Sequence, residues 1–171
     1  NRERLTLMTI LVATASRHGS THRVGEVVTQ TLLDAGLEVS LGDVGEVSLD
    51  QARRSSAVIV GGAIYTGTWL PAATELFERV RATAVPTFSF AVGVKDITSD
   101  PTTQEWAQAA GPVSPGARPV FGGAINSELL SIRERSLLAM VRAKDGEYTD
   151  WNAVRGWAER VAGLLQPSLT T

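Results

Sequence analysis

The chain has 171 residues, of which 43% are hydrophobic and 20% are charged, a composition typical of one globular domain. The chain has no cysteine, which excludes disulfides, thiolate metal sites and cysteine redox chemistry, so a redox role requires a bound cofactor. A formal net charge of −2, with arginines scattered among acidic residues, argues against nucleic-acid binding. No apolar run approaches the roughly 20 residues of a membrane span and no signal peptide is visible, which predicts a cytoplasmic protein.

The first half of the chain alternates strand-like apolar runs with helical patterns. Leu5 to Ala13 is mostly apolar and predicts a buried strand. An amphipathic helix follows, with Gly36 as its expected C-terminal cap. The inner face of this helix is predicted to be Val24, Val27, Val28, Thr31 and Leu32. The next predicted elements are a strand from Leu37 to Val44, a short helix from Leu49 to Arg54 and a strand from Ala57 to Gly62.

The second half of the chain repeats this alternation. Pro71 suits the first turn of a helix, whose predicted inner face is Ala73, Leu76, Phe77 and Val80. The remaining predicted elements are a strand from Thr87 to Gly93, a long loop over residues 94–117, a strand from Pro119 to Ala124, and helices from Glu128 to Ala143 and from Asp150 to Leu165. The inner face of the last helix is predicted to be Val154, Trp157, Ala158, Val161, Leu164 and Leu165.

Strands that alternate with helices along residues 1–171 predict a single α/β domain. We expect a doubly wound, five-stranded parallel sheet with helices on both faces and the strand order 2-1-3-4-5. This order puts a switch point between the first and third strands. Ligands of such sheets bind in the crevice beyond the carboxyl ends of the strands, so the loops after the first, third and fourth strands form the candidate site.

The loop after the first strand predicts an anion site. Thr14 to Thr21 leads from a strand into a helix, so backbone N–H groups and hydroxyls meet at the positive end of a helix dipole. The loop lacks the glycine spacing of dinucleotide folds and the lysine of an NTPase P-loop, which favours a hydroxyl cradle for a phosphate. The members of this cradle are predicted to be Ser16, Ser20 and Thr21, with Gly19 for close backbone approach. Simple capping of the helix is the alternative.

The loops after the third and fourth strands are predicted to flank a flat ring. Glycines in the loop from Gly62 to Trp69 allow close approach, and Tyr65 or Trp69 can stack on a ring. The candidate residues of the two loops are Ala63, Ile64, Tyr65, Thr66, Gly67, Trp69, Gly93, Val94 and Lys95. The alternatives are an aromatic residue packed on a neighbouring helix and a solvated Lys95.

His18 and His22 are the only histidines, and their spacing is that of two metal ligands on one helix face. His18 precedes the helix, however, and no third ligand is near in the sequence, so we expect no metal site. We expect His18 to hydrogen-bond near the phosphate and His22 to lie at the surface. A hydrolase that uses Ser16 and His18 is a weaker alternative, because the chain has no Gly-x-Ser-x-Gly elbow.

Three stretches of the chain resemble the flavodoxin-like superfamily and, within it, the FMN-containing, menaquinone-dependent protoporphyrinogen dehydrogenase family. Residues 16–21, Ser-Arg-His-Gly-Ser-Thr, are similar to that family's Ser/Thr-Arg-Asp-Gly-Gln-Thr phosphate loop. Residues 60–67 stand in the place of its Ile-Gly-Ala-Ser-Ile-Arg-Tyr-Gly loop. The third stretch combines residues 121–124, Phe-Gly-Gly-Ala, with residues 148–151, Tyr-Thr-Asp-Trp, and this last tetrapeptide is the most specific similarity.

The resemblance implies FMN as the cofactor, with its ring between residues 63–69 and 93–96. The phosphate is then held by Ser16, Arg17, His18, Gly19, Ser20 and Thr21. The resemblance also implies oxidation of protoporphyrinogen IX to protoporphyrin IX in haem synthesis, with the electrons passed to a quinone. Two departures are that His18 stands where the family has an acidic residue and that residues 65–68 replace Arg-Tyr-Gly-His.

Two other functions stay open at this point: a flavodoxin that carries electrons between redox partner proteins, and an FMN- or deazaflavin-dependent quinone reductase. The net charge of −2 argues against the strongly acidic surface of a carrier. The predicted helix from Glu128 to Ala143 either docks peripherally on the inner face of a membrane or on a partner, or packs on the sheet with solvated charges. Acidic residues among its arginines favour packing on the sheet.

Overall fold

A computed structural model of the chain describes residues 8–65, 68–93, 118–125, 127–129, 131–132, 135–136 and 146–166. Within these residues the strands are β1 (Thr9–Ala15), β2 (Glu38–Asp43), β3 (Ala57–Tyr65), β4 (Thr68–Trp69), β5 (Thr87–Val92), β6 (Val120–Phe121), β7 (Ala124–Ile125) and β8 (Gly146–Glu147). The parallel sheet has the order β2-β1-β3-β5-β6, which confirms the predicted order 2-1-3-4-5. The antiparallel pair β3–β4 extends this sheet, and β7 and β8 form a separate two-stranded antiparallel sheet.

Side-chain caps start two of the helices, and proline and glycine mark the ends of two others. They are α1 (Ser20–Asp34), α2 (Leu49–Arg53), α3 (Pro71–Arg81) and α4 (Trp151–Leu165). The Ser48 hydroxyl accepts from the Gln51 N–H at the start of α2, and Asp150 accepts from the Ala153 N–H at the start of α4. Pro71 occupies the first turn of α3, and Gly36 follows α1 with a φ of 89°, both as predicted.

Helices cover both faces of the sheet, and each face has its own apolar core. On one face, α1 and α4 pack on β1 and β5, with Phe90, Phe121 and Trp157 in mutual edge-on or tilted contact. On the other face, α2 and α3 pack on β1 and β3, and this core contains Trp69 and Phe77. The predicted inner face of α3 is confirmed, because its four residues are buried.

Three sequence predictions need correction. Leu164 is 57% exposed, not buried, and Ala162 is buried instead; at 100° per residue Leu164 lies about 90° from the centre of the buried arc. β3 runs beyond Gly62 to Tyr65 because it continues into the pair with β4. The predicted fifth strand divides into β6 in the sheet and β7 outside it. The predicted loop over 94–117 and most of the predicted helix from Glu128 to Ala143 lie outside the described residues, and residues 127–129 form a single 3-10 turn.

Among the described residues, no helix combines the length and apolar character needed to cross a membrane.

Two adjacent glycines of β3 allow large rings to reach the backbone from both sides. A Cβ at Gly61 would overlap the Phe90 ring on one face. A Cβ at Gly62 would overlap the indole of Trp69 on the other face. Both cores therefore depend on the missing side chains in the middle of β3.

We expect Gly61→Ala to lower the free energy of unfolding by about 1–3 kcal/mol, because the added methyl group forces the Phe90 ring to move. The matched control is Gly163→Ala in α4, where a Cβ meets nothing within 4 Å. This control gains about 0.5–1 kcal/mol from helix propensity. Urea unfolding of both variants measures the difference, and wild-type stability for Gly61→Ala would contradict the packing described here.

Candidate functional site

The candidate site lies at the carboxyl edge of the sheet, where β1 has β2 on one side and β3 on the other. The loop at residues 16–19 leaves β1 and enters α1 directly. The β3–β4 hairpin leaves the neighbouring strand at the same edge. The end of β5 lies one strand further along, with the Gly93 N–H donating to the carbonyl of Phe121 at 2.9 Å. The ends of β1, β3 and β5, from which the three candidate loops start, thus lie at one edge of the sheet.

The loop after β1 ends in a glycine with left-handed backbone geometry. Gly19 has a φ of 91° and precedes the first turn of α1. Its N–H donates to the Ser16 hydroxyl oxygen at 2.8 Å, which closes the loop on itself. Arg17 and His18 lie between these residues and are exposed. A non-glycine residue at position 19 would be strained, so the backbone conformation favours glycine here, and its close approach to a phosphate stays a prediction.

The first turn of α1 keeps its backbone donors available to a ligand. The first helical hydrogen bond runs from the Arg23 N–H to the carbonyl of Gly19 at 3.0 Å, so the N–H groups of residues 20–22 precede it. No side chain caps the helix from the N-cap position, which is glycine. These donors and the helix dipole favour an anion at this point.

The Thr21 hydroxyl is the strongest sign of a ligand in this turn. Thr21 is 1% exposed, and its Oγ1 has no hydrogen-bond partner among the described residues. Burying a hydroxyl without a partner costs free energy, and native structures rarely keep one without a reason. A phosphate oxygen at the N-terminus of α1 would supply the missing partner, so the residues present fit an anionic group.

Ser20 has a structural task in addition to its predicted one. Its Oγ accepts from the Ala124 N–H at 3.1 Å and lies 3.5 Å from the Ala124 carbonyl oxygen. This contact joins the first turn of α1 to β7. The serine therefore holds the chain segment after the fifth strand of the sheet against the predicted phosphate loop.

The β7–β8 pair, which we call the ribbon (residues 124–125 and 146–147), is joined to α1 by a second contact. Arg23 and Glu147 form an ion pair with an N–O distance of 2.9 Å, and the Arg23 guanidinium lies 5.5 Å from the ring of Trp151. A hydrogen bond from Thr149, and then Arg23, lower the pKa of Glu147 below its usual value. Glu147 therefore keeps its negative charge to lower pH than a free glutamate does.

Tyr148 follows the ribbon and lies at its exposed side. Its N–H donates to the carbonyl of Gly123 at 3.1 Å, and its side chain is packed near Gly146. A Cβ at Gly122 would overlap the Tyr148 carbonyl, so this approach requires glycine. The residue is 47% exposed. The Tyr-Thr-Asp-Trp segment is thereby fixed beside the loop after β6, with Asp150 as the cap of α4.

The structure corrects the prediction that Trp69 stacks on a ligand ring. Trp69 is 6% exposed and contacts Phe77 of α3, with ring centroids 5.7 Å apart at an interplanar angle of 82°. Its indole N–H donates to the carbonyl oxygens of Gly62 at 3.0 Å and Phe90 at 3.2 Å. Packing on a neighbouring helix, the alternative left open by the sequence, is what the structure shows. The close approach to the backbone that Gly62 allows is likewise that of the Trp69 indole, not that of a ligand ring.

The other ring-flanking candidates lie in the hairpin and at the end of β5. Ala63 and Ile64 are half-buried, and the backbone of Tyr65 pairs with Thr68. Gly93 is half-buried at the end of β5. The predicted site residues outside the described part of the chain are Thr66, Gly67, Val94 and Lys95. The roles of all these residues at a ring stay predictions.

Sequence reasoning missed Arg118, which packs on the aromatic residues behind the hairpin. Its guanidinium carbon lies 3.6 Å from the centre of the Trp69 ring and 5.0 Å from that of Phe77. Its Nε donates to the Ser89 hydroxyl at 2.9 Å. Burial lowers the pKa of Arg118 to about 10, against the opposing effect of Glu78. The only sequence signal is an arginine immediately before a short apolar strand, which is too common to single it out.

His22 lies at the surface, as predicted. Its Nδ1 is 3.3 Å from the Thr14 hydroxyl, and its Nε2 is 3.3 Å from a carboxylate oxygen of Glu26. In the described part of the chain, no cluster of three or more histidine, aspartate or glutamate side chains could hold a metal ion. The contacts of His22 are thus those of a surface side chain that links β1 to α1.

Comparison with known proteins agrees with this geometry. Residues 11–152 match the model of a family described as a flavodoxin domain. The fold is similar to that of a short-chain flavodoxin associated with a non-canonical PDU bacterial microcompartment, with a TM-score of 0.64 and 14% identity over 94% of this chain and 100% of that one. It is also similar to flavodoxin 1 from Bacillus cereus, with a TM-score of 0.60 and 10% identity over 92% of this chain and 99% of that one.

A flavodoxin from Streptococcus pneumoniae TIGR4 gives a TM-score of 0.58 and 14% identity over 91% of this chain and 99% of that one. At such identities the likeness is one of fold alone. No curated protein matches the chain. The finer similarity to protoporphyrinogen dehydrogenases therefore stays a prediction. The family match spans most of the chain, and the chain belongs to the flavodoxin domain family, whose cofactor is FMN.

Proposed function

We propose that this chain is an electron-transfer flavoprotein that holds one FMN across the carboxyl ends of β1, β3 and β5. The buried Thr21 hydroxyl, which has no partner among the described residues and lies in the first turn of α1, is the observation that carries this proposal. When bound, FMN supplies one- and two-electron redox chemistry, which none of the protein's own side chains replaces. The protein's part is to bind the phosphate, orient the ring and control access to it.

The phosphate and the ring are assigned to different residues. The backbone N–H groups of the first turn of α1 and the hydroxyls of Ser16, Ser20 and Thr21 bind the phosphate, with Gly19 for close backbone approach. Arg17 and His18 add exposed polar groups in the same loop. The remaining assignments on the ring side are Ala63, Ile64, Tyr65, Thr66, Gly67, Gly93, Val94 and Lys95. Trp69 is left out because both its ring and its N–H are already engaged in the core.

We expect Thr21→Val to weaken FMN binding by about 1–3 kcal/mol, the usual cost of losing a hydrogen bond to a charged group. The same variant should leave the unliganded protein at least as stable as before, because the methyl group replaces a buried hydroxyl without a partner. Riboflavin, which has no phosphate, should bind both proteins equally. Fluorescence titration with the two flavins and thermal melting measure these effects.

Thr29 provides the matched control for this prediction. Its hydroxyl is also buried in α1 without a partner among the described residues, but it lies more than two turns from the start of the helix. Thr29→Val should therefore leave the affinity for FMN unchanged. Equal FMN affinities for Thr21→Val and Thr29→Val would overturn the phosphate assignment.

The finer function that we propose is oxidation of protoporphyrinogen IX with a quinone as the electron acceptor. It is supported by the Tyr-Thr-Asp-Trp segment, the most specific part of the sequence resemblance, which the ribbon ties to the start of α1. The partly exposed Tyr148 gives the apolar pyrrole rings of the substrate an aromatic surface at this edge. The porphyrinogen loses six electrons and six protons in three steps of two electrons and two protons each. Three quinone molecules accept them, one for each step.

A carrier that passes electrons between proteins is the second candidate. It is supported by the end-to-end similarity of fold to single-domain flavodoxins, which this chain covers almost completely. Flavodoxins pass electrons to redox partner proteins and need no small-molecule pocket. A carrier leaves the edge of its flavin open to a partner, whereas a dehydrogenase holds a substrate against it.

Anaerobic mixing of the FMN-loaded protein with protoporphyrinogen IX distinguishes the two candidates. A dehydrogenase loses its oxidised-flavin absorbance rapidly while porphyrin absorbance appears. We expect Tyr148→Ala to slow this bleaching about tenfold through lost substrate contact, with unchanged FMN affinity, and Tyr148→Phe to retain the wild-type rate. A flavin that stays oxidised excludes the porphyrinogen reaction, and rapid reoxidation of the dithionite-reduced protein by cytochrome c then supports the carrier.

A further inference from the structure

The stack of Arg118 on Trp69 is an unusual arrangement for a position beside the sheet core. A guanidinium carbon 3.6 Å from the ring centre lies in direct contact with the indole face. The Nε hydrogen bond to Ser89 in β5 fixes the side chain from a second direction. Phe77 of α3 contacts Trp69 at an interplanar angle of 82°, and Arg118 lies over both rings, so the three side chains form one cluster.

Keeping a cation at this position has a cost. Arg118 is half-buried, and its surroundings include a second cation, Arg81, as well as the Glu78 carboxylate. Burial lowers the pKa of Arg118 to about 10, which shows that the charged form is disfavoured relative to water. An aliphatic side chain of similar length would cover Trp69 without this penalty. The planar charged group therefore serves a need beyond covering apolar surface.

Trp69 connects the two strands whose ends flank the proposed ring position. Its N–H donates to carbonyl oxygens of β3 and β5 at once, at Gly62 and Phe90. Trp69 also pairs with Ile64 in the hairpin, and the Leu70 N–H donates to the carbonyl of Ala63 at 2.9 Å. A tilt of the indole would break the bridge between the strands and shift residues 63–65 relative to Gly93.

We propose that Arg118 is a positioning residue for the flavin ring, which fixes the β3–β4 hairpin against the end of β5 by stacking on the Trp69 indole while bonded to Ser89 of β5. The inference rests on the proposed FMN site and adds to it a residue that does not touch the cofactor. Arg118 acts on the ring end of the site only. The phosphate end is built from α1 and the ribbon, on the opposite face of the sheet from α3.

FMN and riboflavin, which differ only in the phosphate, test whether Arg118 acts on the ring end of the site alone. Arg118→Lys keeps the charge but loses the planar stack, and Arg118→Met keeps apolar cover without charge. Both variants should bind FMN and riboflavin about 5- to 20-fold more weakly than wild type, by the same factor for each ligand. The visible absorbance bands of the bound flavin should shift as well. Thr21→Val, by contrast, should weaken FMN alone and leave the bands in place.

Arg81→Lys is the matched control. Arg81 lies 6.0 Å from the ring centre of Phe77 in the same aromatic cluster, and no contact joins it to Trp69 in the described residues. The same chemical change at this position should leave both flavin affinities and the absorbance bands unchanged. Thermal melting of all the unliganded proteins separates loss of folding from loss of positioning.

The outcomes are distinct. A wild-type chain that binds neither flavin refutes the proposed function, and this inference with it. Wild-type binding with unaltered riboflavin affinity and bands in Arg118→Lys and Arg118→Met refutes the inference alone, whatever their melting temperatures. A fall in FMN affinity without a fall in riboflavin affinity also refutes it, because that result assigns Arg118 to the phosphate end.

Discussion

The rest of the structure depends on the contact of two aromatic rings with the backbone of β3. Phe90 approaches Gly61 from the side of α1 and α4, and Trp69 approaches Gly62 from the side of α3. Because the indole also binds carbonyl oxygens of β3 and β5, the residue that completes one core also fixes the hairpin at the candidate site. The same contacts therefore determine both the packing of the core and the shape of the site. A side chain added at Gly61 or Gly62 would disturb both.

At the start of α1, by contrast, polar groups lack, within the described part of the chain, the partners that the core contacts have. Gly19 offers no capping side chain, the Ser20 hydroxyl is engaged by Ala124, and the Thr21 hydroxyl has no partner among the described residues. A helix start in this condition is stabilised by any anion that binds it. Since a ligand of the native state raises stability by mass action, FMN binding and the stability of this edge are thermodynamically linked.

The sequence predicts what local periodicity determines and misses what distant packing determines. The strand order and the inner face of α3 follow from apolar spacing and connection rules, and they are confirmed. The sequence predicts that Tyr65 or Trp69 stacks on a ligand ring, because an aromatic residue in a glycine-rich loop looks the same whether it faces a cofactor or the core. Its partners at Phe90 and Arg118 are 21 and 49 positions away, beyond any local pattern. The hairpin itself had a signal, since only two residues, the second a glycine, separate Tyr65 from Thr68.

The two ends of the proposed FMN site are built by different layers, and this division bears on which function the chain performs. In the proposed site, the α1 turn is assigned to the phosphate and the hairpin to the ring, which any flavodoxin needs, so neither distinguishes a carrier from a dehydrogenase. The ribbon is different, because its ion pair between Arg23 and Glu147 and its hydrogen bond at Ser20 hold Tyr148 at the exposed edge without serving the central sheet. Because the core does not require this surface, its role is best explained by the molecule that binds it. Whether that molecule is a protein partner or a small substrate therefore depends on what the ribbon binds.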